Sequence, residues 1–416
     1  MNVKLDPDAH PWMKAPETRA VMAALTSGGG DARFVGGAIR NALLGEPVGD
    51  VDIATPLTPD IVMQRLQAVG LGAVPTGLEH GTVTAISGGK PFEVTTLRRD
   101  VETDGRRAVI AFTLDWREDA MRRDFTINAL YAAEDGTLYD YFGGLDDLEA
   151  RRVRFVGDAV TRIREDYLRI LRLFRFHAWY GKGALDGEAL AAARAERAGL
   201  KRLSGERVQK EVLRLLEAHD PSPTLAVMQD AGILAEILPS NGDVARLGRL
   251  IAIEDAKERK PDPLLRLAAL LEDGAAAARS LAGQLKLSNA ARDRLVQAMD
   301  KDARIGATLA PAEARKLIYR LGAQCFEDQI LLNWAATGAV AQDPAWGALL
   351  KLAREWKPPV FALDGNDVMA LGLEEGPEIG AILRDVEGWW ADKDFAPGRQ
   401  ALLERLKDAV SKRHAP

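Results

Sequence analysis

The sequence predicts an α+β protein in which a mixed-sheet domain comes first and an all-helical part follows. Two observations support this prediction. Up to about residue 142, short β-branched runs alternate with turn signals, which is typical of strands joined by loops and short helices. From about residue 157 onward, strand signals almost vanish and the chain becomes a succession of amphipathic helices. We therefore expect three domains, over residues 1–156, 157–240 and 241–416.

The composition is that of an ordinary globular protein. Of the 416 residues, 47% are hydrophobic and 28% are charged, and the formal net charge of −6 argues against a protein that coats nucleic acid non-specifically. Cys325 is the single cysteine, which excludes an internal disulfide or a cysteine-rich zinc cluster and favours a reducing compartment. The first residues lack a secretory signal, and no window holds about 18 uninterrupted apolar residues. We therefore expect a cytoplasmic protein without a membrane partner.

The strands of the first domain are predicted from runs of β-branched and aromatic residues. In chain order these runs are ARFVGG, VDIAT, GTVTAIS, FEVTTL, AVIAF, TINALYAA and TLYDYF. Asp135-Gly136 separates the last two runs, and Asp-Gly at such a place is a strong hairpin signal because both central positions of a type I′ turn need positive φ. Between the strands, IRNALLG and PDIVMQRLQAVG have helical spacing and end at Gly45 and Gly70.

The remainder of the chain is predicted to be helical. Its clearest amphipathic segments are RIREDYLRILRLFRFHAWY, GERVQKEVLRLLEA, SPTLAVMQDAGILAEIL, PLLRLAALLED and EARKLIYRLG. No segment repeats closely enough for a solenoid, and no low-complexity tract occurs. The helices are therefore expected to form non-repetitive domains.

Two acidic residues, Asp50 and Asp52, lie two positions apart around the predicted strand VDIAT. Alternation along a strand places both side chains on one face, while Val51 and Ile53 enter the core. Carboxylates this close repel each other unless a divalent cation lies between them, and Mg²⁺ is held by one or two carboxylates together with substrate phosphates. The pair therefore predicts a magnesium site. The alternative, for an isolated pair of this kind, is a solvated strand end.

A glycine turn upstream makes the functional interpretation more specific. Gly36-Gly37 ends a strand and opens a helix, so backbone N–H groups at a helix N-terminus can approach phosphate oxygens. Arg40 adds a positive charge in the first turn of that helix. A plain strand-to-helix turn explains the glycines alone, but their combination with an arginine and two carboxylates favours a triphosphate site. The sequence has no G-x-x-x-x-G-K-[ST], and no G-x-G-x-x-G at this turn.

Polar residues recur at every third position in EDYLRILRLFRF, namely Asp166, Arg169, Arg172 and Arg175. Steps of three spiral over about half of a helix surface, and apolar residues fill the gaps, so the arginines are expected to line a cleft. A fixed Asp accepts from an exocyclic amino group and a fixed Arg donates to a ring nitrogen, which is the pattern that cytosine and adenine present. The alternative is a surface helix held by an Asp166–Arg169 ion pair.

Four blocks resemble motifs of the class II tRNA nucleotidyltransferases (CCA-adding enzymes) and the related bacterial poly(A) polymerases, in the same order and spacing. The first and second catalytic motifs are resembled by FVGGAIRNALLGEPVGDVDIAT and RRDFTINAL. The third motif, joined to the base-reading motif, is resembled by GDAVTRIREDYLRILRLFRF. The neck helix is resembled by LSGERVQKEVLRLL. The resemblance implies a polymerase-β-like nucleotidyltransferase head over 1–156, a neck with nucleotide-selecting and RNA-binding helices over 157–240, and a body and tail for tRNA binding over 241–416.

The resemblance also implies roles for individual residues. Asp50 and Asp52 would be the catalytic residues that bind Mg²⁺. The nucleotide would be bound by Gly37, Arg40, Arg123, Asp166, Arg169, Arg172 and Arg175. Glu93 is a candidate third carboxylate, with a structural strand position as the alternative, and residues 96–112 resemble the family's mobile loop. Asn41 stands where the family usually has Asp, which keeps a hydrogen-bonding group but removes a charge.

The reaction that the resemblance implies is template-independent addition of CMP and AMP, from CTP and ATP, to the 3′ end of tRNA. Residues 151–175 carry eight arginines against three acids, and Arg151, Arg152 and Arg154 are expected to contact the tRNA backbone. No DNA partner is expected. The same residues leave open a poly(A) polymerase, an enzyme that adds only CC or only A and, in another class, a non-catalytic RNA-binding protein.

Overall fold

The computed structural model describes residues 4–104, 107–272, 274–300 and 305–413, with side chains except those of 100–109 and 413. The chain divides into two compact units, Met1–Asn241 and Gly242–Pro416. All the described strands lie in the first unit, while the described part of the second unit is helical. The predicted α+β class is thereby confirmed.

The first unit is built on a mixed sheet. The described strands are β1 (Arg33–Val35), β2 (Asp52–Thr55), β3 (Gly72–Gly77), β4 (Thr82–Ser87), β5 (Lys90–Thr96), β6 (Arg98–Asp104), β7 (Arg107–Phe112), β8 (Leu130–Ala132) and β9 (Leu138–Asp140). Seven of them form one sheet in the order β3-β4-β5-β2-β1-β8-β9, and β6 pairs with β7 separately. β2 and β5 are parallel, whereas the other neighbours in the sheet are antiparallel.

Several strands differ from the prediction. β3 and β6 were not expected, because GAVPTG holds a proline and two glycines and RRDVETD is strongly charged. The TINALYAA run begins as a 3₁₀ turn over Thr126–Asn128, and only its second half forms β8. The segment predicted to be a mobile loop pairs as β6 and β7, although Gly105 and Arg106 lie outside the described residues.

Helices cover this sheet and extend the first unit. They are α1 (Pro11–Lys14), α2 (Pro16–Thr26), α3 (Gly37–Leu44), α4 (Pro59–Ala68), α5 (Trp116–Met121), α6 (Gly144–Glu149), α7 (Ala159–Glu165), α8 (Leu168–Tyr180), α9 (Gly187–Glu196), α10 (Gly205–Leu216), α11 (Ser222–Asp230) and α12 (Leu234–Ile237). α2 and α4 pack on β4, α3 packs on β1 and β8, and α8 packs against α10 and α11. The last contact brings the arginine-rich helix against the predicted neck helix.

The helix predicted through Asp166 is interrupted there, so that prediction is wrong in its continuity. α7 ends at Glu165, and Asp166 is extended, with φ −157° and ψ 105°. Its carboxylate accepts hydrogen bonds from the backbone N of Leu168 at 3.1 Å and from Nη2 of Arg207, on α10, at 2.7 Å. An Asp side chain that binds nearby backbone N–H groups competes with helical hydrogen bonding, and the Arg207 contact stabilises the break.

The second unit consists of packed helices. They are α13 (Val244–Ala256), α14 (Pro263–Leu270), α15 (Ala275–Gln284), α16 (Asn289–Met299), α17 (Pro311–Leu321), α18 (Ala323–Thr337), α19 (Pro344–Glu355), α20 (Gly365–Met369), α21 (Pro377–Asp392) and α22 (Arg399–Arg413). α18 is the central helix, in contact with α13, α14, α16, α17 and α19, while α20, α21 and α22 share a core of their own. No helix in the described ranges is long and apolar enough to cross a lipid bilayer.

Gly199 permits a close packing contact beside the break in the helix. A Cβ atom at Gly199 would lie 2.0–2.4 Å from three ring carbons of Tyr167. We expect Gly199→Ala to lower the free energy of unfolding by about 1–3 kcal/mol, because the ring has to move out of its packed position. Thermal unfolding followed by circular dichroism would measure the change. Gly187→Ala is the matched control, since a Cβ there meets no atom within 4 Å, and equal losses in both variants would contradict the prediction.

Candidate active site

The turn between β1 and α3 places backbone N–H groups next to the acidic strand. Gly36 has φ 69° and ψ −121°, a conformation that residues with a side chain rarely adopt. No side chain caps the N-terminus of α3, so its first N–H groups are available to an anion. Val35, the residue before the turn, pairs with Asp52 in the antiparallel register of β1 and β2. The glycine turn and Asp52 are therefore close neighbours.

The carboxylates of Asp50 and Asp52 lie at the start of β2. Asp52 is the first residue of the strand and Asp50 precedes it, so the strand is shorter than predicted. Across the parallel pair of β2 and β5, Asp52 lies beside Glu93. Burial, together with repulsion from Glu93 and Asp50 and against attraction by Arg123, raises the pKa of Asp52 to about 6. A cation between Asp50 and Asp52 would relieve this repulsion.

The donor set fits a metal that shares its coordination with a substrate. Within the described residues, no group of three or more His, Cys, Asp or Glu side chains is placed to hold a metal ion. Asp50 and Asp52 nevertheless line one cavity. Two carboxylates with phosphate oxygens and water form a set that Mg²⁺ accepts, whereas an ion bound by protein side chains alone would need more ligands.

The raised pKa of Asp52 predicts a pH dependence of stability in the absence of metal. Its pKa is about 6 in the folded protein, against an ordinary value of 3.8 for an aspartate in water. The folded state therefore binds more protons between about pH 4 and pH 6, and the free energy of unfolding falls as the pH rises through this window. A shift of this size destabilises the ionised folded protein by about 3 kcal/mol. We expect Asp52→Asn to remove this destabilisation, so the variant becomes more stable than the parent protein above pH 6.

Denaturant unfolding of both proteins at several pH values, with a chelator present, would measure the difference. The comparison of the two proteins removes the contributions of the other carboxyl groups. A difference in stability that stays constant from pH 4 to pH 7 would contradict the pKa assignment.

All the residues predicted to act on the nucleotide line one or both of two neighbouring cavities. The first, of about 500 Å³, is lined among others by Gly37, Arg40, Asp52, Arg123, Asp166, Arg169 and Arg172. The second, of about 630 Å³, is lined among others by Gly37, Arg40, Asp50, Asp52, Arg172 and Arg175. Both cavities lie within the first unit, and Asp52 stands where they meet.

Arg40 is a buried arginine held by neutral partners. Its guanidinium donates to Oδ1 of Asn41 at 2.9 Å, to Oη of Tyr180 at 2.9 Å and to Oδ1 of Asn128, and it lies 4.0 Å from the centroid of the Tyr180 ring. Burial lowers the pKa of Arg40. Asn41, which departs from the family's usual Asp, thus keeps the contact with the arginine without neutralising it. The positive charge of Arg40 remains available to an anionic substrate.

Arg123 is oriented by a buried carboxylate. Asp119 is completely buried, and its Oδ2 accepts from Nη2 of Arg123 at 3.2 Å and from Oη of Tyr131 at 2.7 Å. Its Oδ1 accepts from Nε of Arg122 at 2.8 Å. Burial raises the pKa of Asp119, but the two arginines outweigh this effect and lower it to about 2. Asp119 therefore stays ionised and holds Arg123 at the edge of the first cavity.

Asp166 and Arg169 line the same cavity but do not form the ion pair that was the alternative interpretation. Asp166 binds Arg207 instead. Arg169 donates to the carbonyl oxygen of Arg162 at 2.7 Å and also binds Glu165. Each member of the predicted base-reading pair is thus held by a different element, the carboxylate by α10 and the guanidinium by α7.

Arg172 links α8 to Asp124, next to Arg123, and Arg175 links α8 to α10. Nε of Arg172 donates to Oδ2 of Asp124 at 2.9 Å, and Nε of Arg175 donates to Oε2 of Glu211, on α10, at 2.5 Å. Burial raises the pKa of Asp124, but Arg172 and other hydrogen-bond donors outweigh it and hold this pKa well below its usual range. Both arginines therefore stabilise the packing of α8 and also line a cavity.

Some of the residues that shape the site were not predicted. Asp124 and Asn128 lie within RRDFTINAL and could have been noticed, because polar side chains inside an apolar run need partners. Arg207 and Glu211 are four positions apart on α10 and therefore share a helix face. Tyr180 carries no local signal. Arg152 and Arg154, which were predicted to contact tRNA, both bind the buried carboxylate of Asp147.

The fold and the site together define a class of protein, namely an enzyme that transfers a nucleotide from a nucleoside triphosphate. Family models support this class. The model of the poly(A) polymerase head domain matches residues 32–154, and the model described as a probable RNA- and SrmB-binding site of polymerase A matches residues 184–241.

Curated relatives identify the family more narrowly. The chain is 36% identical over 396 residues to CCA tRNA nucleotidyltransferase 1, mitochondrial, of Danio rerio, with 91% of this chain and 88% of the relative covered. It is 33% identical over 403 residues to the CCA-adding enzyme of Levilactobacillus brevis, with 94% and 97% covered. The crystal structure of the Bacillus stearothermophilus CCA-adding enzyme in complex with CTP superposes with a TM-score of 0.77 at 28% identity, over 95% of this chain and 98% of that one. The chain therefore belongs to the CCA tRNA nucleotidyltransferase family, as the sequence motifs predicted.

Proposed function

We propose that this chain adds CMP and AMP, from CTP and ATP, to the 3′ end of tRNA without a template. The observation that carries the proposal is the convergence of a glycine turn, two carboxylates and a base-sized cavity with fixed polar groups around Asp52. The acceptor's 3′ oxygen forms a bond with the α-phosphorus, the bond from that phosphorus to the bridging oxygen breaks, and pyrophosphate leaves with the electron pair. The hydroxyl proton is released to solvent.

The nucleotide is oriented by groups from three segments of the chain. Gly37 supplies backbone N–H groups and Arg40 a positive charge for the phosphates, and Arg123 lies within reach of the sugar and phosphates. Asp166 accepts from the amino group of cytosine or adenine, and Arg169 donates to the neighbouring ring nitrogen. Uracil and guanine present the opposite pattern at these positions, so neither side chain can form its hydrogen bond with them.

Mg²⁺ is the cofactor we propose, held by Asp50 and Asp52. When bound, it supplies positive charge that assists deprotonation of the acceptor hydroxyl and stabilises the charge on the phosphates. The side chains do the positioning, because phosphoryl transfer depends mainly on placement and on charge stabilisation.

Complete CCA addition is better supported than the alternatives, because the chain aligns with CCA-adding enzymes along nearly their whole length. The Levilactobacillus brevis CCA-adding enzyme aligns along 97% of its length, and both Asp50 and Asp52, which a non-catalytic RNA-binding protein would be free to lose, are present. The head model alone, which is named for poly(A) polymerase, does not separate the two activities.

Product sizing tests the proposal. Purified protein is incubated with tRNA that ends before CCA, with tRNA that ends in CC, and with an unrelated RNA, and each triphosphate is supplied separately. We expect CTP to extend the first tRNA by two nucleotides and ATP to extend the second by one. Long adenylate tails on the unrelated RNA would support a poly(A) polymerase instead, and the absence of any incorporation would refute the proposal.

Binding of tRNA should depend steeply on salt, although the whole chain is acidic. Residues 184–241 match a model of an RNA-binding region. Positive charge that can bind the tRNA backbone is also present on the exposed parts of Arg151, Arg152 and Arg154. Because each neutralised phosphate releases counterions, we expect the affinity to fall at least roughly tenfold between 50 and 200 mM salt. Filter binding or fluorescence anisotropy would measure it. A flat salt dependence would show that the backbone contacts are few.

The cellular location is a separate proposal. Cys325 is buried and is the single cysteine, which suits a reducing compartment. Some relatives are named as mitochondrial and others come from bacteria. We place this protein in the cytoplasm, which cell fractionation with a specific antibody would test.

A further inference from the structure

The second cavity extends beyond the residues that select the nucleotide. From Asp52 and the N-terminus of α3 it reaches Trp179 at the end of α8, and Lys210 and Arg214 on α10. None of these three residues has a role in the reaction as derived above. The cavity volume of about 630 Å³ exceeds that of the first cavity, which holds the base-reading pair.

Most of the cations on this cavity are already neutralised. Arg172 and Arg175 share Glu211, and Arg214 forms an ion pair with Glu217 at 2.8 Å. Two cations differ from these. Arg40 donates to neutral acceptors, and Lys210 is exposed and has no hydrogen bond or ion pair within the described part of the chain. Positive charge that forms no ion pair within the described residues therefore faces the cavity from α3 and from α10.

The order of the strands indicates on which side of Asp52 the terminal phosphates of a triphosphate would lie. β2 lies between β1 and β5, so Asp52 has the glycine turn on one side and Glu93 on the other. In an in-line displacement the attacking and leaving oxygens lie on opposite sides of the phosphorus. The cavity shares Gly37 and Arg40 with the glycine-turn side. The backbone N–H groups of the turn and the charge of Arg40 favour the leaving pyrophosphate on that side, which leaves the side of Glu93 to the acceptor hydroxyl.

We propose that the second cavity is a polyphosphate subsite in which Lys210 binds the terminal phosphates of the incoming nucleotide and then the pyrophosphate product. This inference rests on the proposed function and extends it to a residue of the neck helix. Lys210, on α10, and Arg40, on α3, line the same cavity, and a strongly charged anion bound there compensates the charge of both. Because the lysine contacts neither the reacting phosphorus nor the base, it contributes to binding more than to the chemical step.

Kinetics of Lys210→Ala in the full-length protein test the subsite. With tRNA that ends in CC, we expect the KM for ATP and the inhibition constant for inorganic pyrophosphate both to rise roughly five- to twentyfold, while kcat changes less than about twofold. The affinity for AMP, which lacks the terminal phosphates, should stay unchanged. Lys210→Arg should retain most of the pyrophosphate inhibition.

Lys182→Ala is the matched control, since Lys182 is an exposed lysine of the same unit that lines neither cavity. Circular dichroism and thermal unfolding would establish that each variant is folded. Unchanged KM for ATP and unchanged pyrophosphate inhibition in Lys210→Ala would overturn the subsite, and so would an effect confined to the KM for tRNA. A parent protein that incorporates no nucleotide would instead refute the proposed function, so the two failures are distinguishable.

Discussion

Asp52→Asn is expected to lower nucleotide incorporation by on the order of 1,000-fold while the protein stays folded, because the substitution removes a metal-binding carboxylate at the reacting phosphate. Asp52 opens β2 beside the glycine turn and lines both cavities. Incorporation of labelled AMP into tRNA that ends in CC, at saturating Mg²⁺, would measure the loss. The affinity for tRNA should hardly change, since the proposed contacts with the tRNA backbone do not involve Asp52.

Asp60→Asn is the matched control for this variant. Asp60 is an exposed aspartate in the first turn of α4, and it lines neither cavity. Its replacement removes one negative charge from the same unit without altering the site. Normal incorporation by a folded Asp52→Asn protein would refute the assignment of the catalytic carboxylate, and so would an equal loss in Asp60→Asn.

Asp166→Ala is expected to lower the preference for CTP over UTP, and for ATP over GTP, by roughly 100-fold, because a protein that works without a template has to read the base with its own side chains. The ratio of kcat/KM values for each pair of nucleotides measures the preference. The carboxylate is fixed by Arg207 and by the backbone N–H of Leu168. Its loss therefore removes an acceptor for the amino group and also the two hydrogen bonds that stabilise the break before α8.

Arg207→Ala separates these two contributions. This substitution removes the ion pair with Asp166 but leaves the carboxylate and its bond to Leu168. If Asp166 reads the base, Arg207→Ala should reduce the selectivity much less than Asp166→Ala does. Equal losses would show that Asp166 acts only through the structure, and unchanged selectivity in Asp166→Ala would contradict the base-reading role.

The sequence contained enough local information to predict the mixed sheet, the helical remainder and the residues that line the two cavities. The glycine turn, Asp50, Asp52 and Arg40 lie within one short stretch, and a strand followed by a helix and a second strand leaves few ways to arrange them. Strand alternation and helix periodicity act over the same short range. β3 and β6 escaped prediction because an exposed edge strand and a charged hairpin strand lack the apolar alternation on which such predictions depend.

The pairs that hold the site together were decided by the tertiary structure. Arg175 meets Glu211 across 36 positions of the chain, Arg207 meets Asp166 across 41, and Arg172 meets Asp124 across 48. Each of these contacts depends on how α8 and the residues just before it pack against α10 or against the segment around Asp124, and many packings satisfy the same apolar periodicity. Local pattern therefore determined which residue types are available for the chemistry, whereas the packing of distant segments determined their partners, including the neutral surroundings of Arg40 and the break at Asp166.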